Sequence, residues 1–187
     1  MIAIYPYVEF VHIAAVVLWL GGGSLCIFNA VKADRARNAA DFARVLGDTM
    51  FFVTRLFIPA SVVAFAAGLT MAYLGELFAE LWIWIGIAGI AATSLLGALV
   101  MKPRSEKLLA SIAGGGASQE AVLGPGRQIV QIAKFDYVML FTVVANMVLK
   151  PRPTDIAELA VMAAVVLGAG VLFLVPVFRA ASRPAGG

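Results

Sequence analysis

The sequence predicts an all-α integral membrane bundle of five transmembrane helices, and three observations carry that prediction. Apolar stretches at about 8–31, 51–74, 81–101, 128–149 and 155–178 fill most of the 187 residues. A hydrocarbon core about 30 Å thick needs roughly 20 residues of helix, which four stretches meet outright and the one before Leu149 meets only with its polar leading turn from Gln128. Hydrophobic residues make up 62% of the chain and charged ones 13%, about half the charged share of a soluble domain. No long polar segment is left to fold separately, so residues 1–187 read as a single polytopic membrane domain. The third observation is where the charges lie: between the stretches, and mostly in two of the connections.

Each element has its own punctuation. The first stretch, Val8–Val31, has no lysine or arginine before it and exceeds a signal-peptide core, so it reads as a retained helix. The connection after it contains Phe42, Val45 and Leu46 at helical spacing beside charged residues, which predicts a short helix on the cytoplasmic surface. Pro59 predicts a kink in the second helix, because its ring removes a hydrogen bond and crowds the preceding turn. Pro103 marks the end of the third helix, and the Gly114–Gly116 run and the Gly124-Pro125-Gly126 turn predict a flexible loop. Pro151 and Pro153 separate the last two helices, with Thr154 expected as N-cap and Asp155 and Glu158 favouring the dipole of the first turn.

The basic residues set an expected orientation. Lys32, Arg35, Arg37 and Arg44 follow the first helix; Lys102, Arg104, Lys107 and Arg127 follow the third. The positive-inside bias places both connections in the cytoplasm, the N-terminus outside and the C-terminus inside. Lys150 and Arg152 dissent, whereas Arg179 and Arg183 agree. Tyr5, Tyr7, Tyr73, Trp82 and Trp84 are then expected as anchors at the outer interface. The net charge of +3 calls for no nucleic acid; topology and anionic headgroups account for it. Cys26 has no disulfide partner in the chain and reads as packing.

Chemistry is to be sought in the few polar groups at membrane depth, which are costly in lipid and face the bundle interior or a wet cavity. Glu9 and His12 are three apart on one face of the first helix, with Trp19 a further seven along. Asn146 and Lys150 share a face of the fourth. Arg55 and Asp136 begin their helices at the cytoplasmic side and pair if those helices touch. His12, the single histidine, can bind haem iron or copper, with Glu9 as a second metal candidate, or simply hydrogen-bond a neighbouring helix. Met71, Met139, Met147 and Met162 supply thioethers without a methionine-rich motif. Gly89, Thr93 and Gly97 form a smooth ridge for tight packing within the bundle or for a homodimer. Phosphate-loop, zinc-finger and metalloprotease motifs are absent, and no catalytic residue is assigned.

The run Val11–Gly23, VHIAAVVLWLGGG, resembles the opening helix of an uncharacterised bacterial integral membrane family. Pro59 with Gly68-Leu69-Thr70, and Asn146–Pro151 (NMVLKP), resemble it too. That family is similar to the membrane domain of copper resistance protein D and, more remotely, to the HemJ-type membrane protoporphyrinogen oxidase. The resemblance implies haem b or copper handling through His12 in a bacterial inner membrane. The oxidase is expected to use a lysine near the start of its third helix, where this chain reads Leu81–Gly86 without one, so the chain is not read as that enzyme. Two other classes stand beside this reading: a non-catalytic scaffold or subunit packing through its glycines, and a small channel or transporter lined by Glu9, Asn146 and Lys150.

Overall fold

A computed structural model describes residues 4–114 and 118–181. Helix α1 (Tyr5–Arg35) starts with Pro6 in its first turn, where a missing N–H costs nothing, and ends on Lys32 and Arg35, which suit the negative end of its dipole. After a left-handed residue at Arg37 come α2 (Ala39–Phe52) and α3 (Ile58–Leu74). Then follow α4 (Leu81–Leu96), α5 (Lys102–Ala113), α6 (Gln119–Leu149), α7 (Ile156–Ala169) and α8 (Val175–Ala181). Five of the resulting helical rods are long and apolar enough to cross a membrane, so the protein's environment is a lipid bilayer.

The rods are longer than the apolar stretches. Ala39–Leu74 is one helix of 36 residues and Leu81–Ala113 one of 33, about 50 Å each at 1.5 Å per residue. Both therefore extend well beyond a 30 Å core. The expected short helix is real, but it continues through the π-helical turn Val53–Phe57 into α3 as one rod. Its apolar face does not meet lipid: Phe42 is 1% exposed and packs with Leu46 against Ala33, Leu108, Val122, Leu123, Ile129 and Val130. The start of α2 is fixed by Asn38, whose Oδ1 accepts from the Asp41 amide (3.1 Å) while its Nδ2 donates to the Asp41 carboxylate (2.9 Å). Beside this cluster Arg127 donates to Asp34 at 2.6 Å and reaches Glu120 at 3.3 Å.

Prolines do not stop these helices, contrary to expectation at Pro103 and at Gly124-Pro125-Gly126. Each of three prolines is preceded by a π-helical turn: Val53–Phe57 before Pro59, Gly97–Met101 before Pro103, and Gly170–Leu174 before Pro176. The residue ahead of each proline donates five residues back, Ile58 to Val53, Lys102 to Gly97 and Val175 to Gly170. The widened turn gives room to a ring that would otherwise strike the carbonyl four residues earlier. Pro125 lies inside α6, at its seventh residue, and the helix continues through it with glycines on either side. Gly126 beside it is needed for a different reason, since a β-carbon there would collide with the Phe42 ring. Of the predicted loop glycines, Gly114 caps α5, and Gly115 and Gly116 lie outside the described residues. The N-cap of α7 is Asp155 and not Thr154; the Asp155 carboxylate instead accepts from the Arg152 amide at 2.8 Å, tying the turn after Pro151.

Within the membrane portion α1 packs on α3 and α4 on α6, and the two pairs are joined through α1 and α6. The fifth rod runs along α6. The Gly89 notch is filled by Val143 of α6, and Thr93 is buried, whereas Gly97 has open space around it. Two of the three ridge residues are thus used inside the chain. Tyr7, Tyr73 and Trp84 stay exposed as anchors would, but Trp82 does not: it is 9% exposed and packs with Ala72 and Ile83.

A Gly126→Ala variant is expected to lose about 1–3 kcal/mol through overpacking against Phe42. Thermal unfolding in detergent would read the loss, and adding Phe42→Leu should return part of it. Equal stability of the single variant and the parent would contradict this packing.

Candidate functional site

Between the α1/α3 pair and the α4/α6 pair lies a cavity of about 730 Å³. Its walls are mostly apolar, with Val16, Phe65, Ile83, Ile90, Leu140 and Val144 among them. Four of the polar residues singled out from the sequence, Glu9, His12, Trp19 and Lys150, line this one space, as do Met71 and Met147. Arg55 and Asp136 do not line it. Arg55 is exposed and makes no ion pair with Asp136 among the described residues. The rod that carries Arg55 touches α6 through α2, but the turn Val53–Phe57 that holds Arg55 packs on α1, and the two side chains do not pair. Asp136 Oδ1 is buried without a hydrogen-bond partner.

His12 is held by the neighbouring helix. Its Nδ1 lies 2.7 Å from the Ala64 carbonyl oxygen of α3. A carbonyl can only accept, so Nδ1 carries the proton and, in the neutral ring, Nε2 carries the lone pair. The approach depends on small residues. A β-carbon at Gly68 would come within 3.1 Å of His12 Cε1 and 3.3 Å of Nδ1. No analogous reach back to Glu9 is made.

The far wall is fixed by the same kind of bond. Asn146 is 0% exposed, and its Nδ2 donates to the Trp82 carbonyl at 2.7 Å. Its Oδ1 is buried without a partner. Gly86, one turn after Trp82, makes the space: a β-carbon there would meet the Met147 methyl and lie 3.6 Å from Asn146 Nδ2. Asn146 is therefore a structural lock behind the cavity, not a lining group. Tyr137, outside the cavity lining, donates from Oη to the Leu20 carbonyl at 2.9 Å, where a β-carbon on Gly23 would collide with it. Lys150 ends α6 in the left-handed region at φ 50°, with its ammonium 5.4 Å from the centre of the Trp82 ring.

Ala64, Gly68, Gly86, Trp82 and Tyr137 were not identified as site residues from the sequence. The available signal was a small residue four positions after a carbonyl that another helix uses, Gly68 after Ala64 and Gly86 after Trp82. Among the described residues no group of three or more His, Cys, Asp or Glu is placed to hold a metal ion. His12 and the two methionines are the soft donors at this cavity.

Fold and site together define a polytopic helical membrane protein with a partly open, mostly apolar cavity lined by four of its spans. The chain belongs to the family described as "Predicted integral membrane protein (DUF2269)", which it matches over residues 6–151. The match takes in the four cavity-forming spans and ends at Pro151, before the fifth. No curated protein and no solved structure matches the chain significantly.

Tyr137→Phe is expected to cost about 0.6–2 kcal/mol, the range for an interhelical hydrogen bond in a membrane. Asn146→Ala should cost more, about 2–4 kcal/mol, because it also opens a void beneath Trp82. Denaturant or thermal titration in mixed micelles would rank the two; the reverse order would contradict the lock assigned to Asn146.

Proposed function

We propose that this protein binds an amphipathic cofactor within the membrane, that His12 is the residue that touches it, and that the cofactor is haem b. One observation carries the reading: the 2.7 Å hydrogen bond from His12 Nδ1 to Ala64 on the wall of the cavity. Metal-binding histidines are commonly held in this way, with one ring N–H given to a carbonyl so that the other nitrogen keeps its lone pair and a fixed direction. The cavity volume of about 730 Å³ suits a whole cofactor and not a lone ion. When bound, haem supplies one-electron redox chemistry. The chain's own part is to offer Nε2, exclude water with apolar walls, and set Trp19 and Trp82 as aromatic lining.

Copper is the second reading, favoured by His12, Met71 and Met147 lining the same space. Imidazole and thioether together suit cuprous copper. Against it, the Met147 methyl is seated at the Gly86 notch, and the volume greatly exceeds what an ion needs. The positive-inside bias supports an orientation in a bacterial inner membrane with Tyr5 and Lys150 at the outer end.

The deciding measurement is the visible spectrum of the detergent-purified protein, oxidised and reduced, after reconstitution with haemin. A Soret band that shifts on reduction is expected, with loss of the band in His12→Ala. Gly68→Val should weaken it by displacing the imidazole. Stoichiometric copper without that band would favour the second reading. A protein that takes up neither would turn the assignment to a scaffold or a channel.

A further inference from the structure

We infer that Lys150 receives a carboxylate of the cavity's ligand, so that the ligand is an amphipathic acid with its apolar body among the four helices. The inference rests on the cavity being a binding site, as proposed above. Lys150 stands at φ 50°, a region where a residue with a β-carbon is strained and glycine is the usual occupant of a helix end. Three constraints hold it there. Its amide donates to the Asn146 carbonyl at 2.9 Å. Pro151, fully buried, follows it and disfavours a helical backbone at Lys150. Its ammonium lies over the Trp82 ring, and Trp82 is itself fixed through its carbonyl by the buried Asn146.

The result is a cation held at one end of an apolar cavity by parts that do not neutralise it. Lys150 makes no ion pair among the described residues; Glu9 lines the same cavity but is not within 4.0 Å of it. An aromatic face orients an ammonium without satisfying its donors, which leaves them for an acid on the ligand. Lys150 is itself exposed, so its ammonium is open to a ligand's carboxylate at the end of the cavity, where a charge-assisted hydrogen bond is stronger than a neutral one.

The test compares haemin with its dimethyl ester, which has the same macrocycle and no free carboxylate. Binding to the full chain in detergent is read by quenching of tryptophan fluorescence, since Trp19 and Trp82 both line the cavity. Haemin is expected to bind about tenfold or more tighter than the diester, as a charged hydrogen bond implies. Lys150→Met should abolish that preference, with circular dichroism and elution in detergent showing that the variant is folded; Lys150→Arg should keep it. Equal affinities of the parent for the two compounds, or a preference that survives Lys150→Met, would overturn the role of Lys150 while leaving the cavity reading intact. Binding of neither compound to the parent would overturn both.

Discussion

Three side-chain hydrogen bonds onto main-chain carbonyls hold the four cavity-forming spans in order. In hydrocarbon a helix has already spent its N–H groups, and what it still offers a neighbour is the second lone pair of a carbonyl. His12 uses Ala64, linking α1 to α3; Tyr137 uses Leu20, linking α6 to α1; Asn146 uses Trp82, linking α6 to α4. Among the described residues these are the side-chain bonds from one span to the backbone of another. The small residues Gly23, Gly68 and Gly86 are the complement of this arrangement, because each clears the approach to one of those carbonyls. The cavity exists where the two pairs, each so joined, fail to close on one another.

Proline is handled by a related economy. A ring in mid-helix leaves a carbonyl without its donor, which lipid cannot satisfy. Pro59, Pro103 and Pro176 each follow a turn widened to a five-residue repeat, so the rod continues instead of breaking. Continuity matters at the basic end, where α2, α5 and the start of α6 meet around Phe42 beyond the apolar stretches. Asp34 and Arg127 close that region with an ion pair, partly exposed and so of modest value by itself.

Five spans and their order could be read from the sequence because crossing lipid is a constraint on composition, visible residue by residue. Glu9, His12, Trp19 and Lys150 were legible for the same reason: polar and aromatic groups in apolar helices stand out, and all four line the cavity. What composition could not convey was partnership. Asn146 looked like a lining group and is a lock on Trp82; Trp82 looked like an interface anchor and is buried. Arg55 and Asp136 had complementary charge, but Arg55 is exposed on a turn that packs on α1. The break at Pro151 and Pro153 was legible, but the helix continues at Pro103 and through Gly124-Pro125-Gly126; the π-helical turn ahead of Pro103 leaves no mark in composition.

The rod from Ala39 to Leu74 joins two places that differ in every chemical respect. One end carries the Phe42 knob, seated among α1, α5 and α6; the other carries the Ala64 carbonyl that aims the imidazole. Packing at the basic end and the aim of the imidazole are thus requirements on a single continuous helix, which carries Phe42 near its start and the Ala64 carbonyl past the π-helical turn Val53–Phe57.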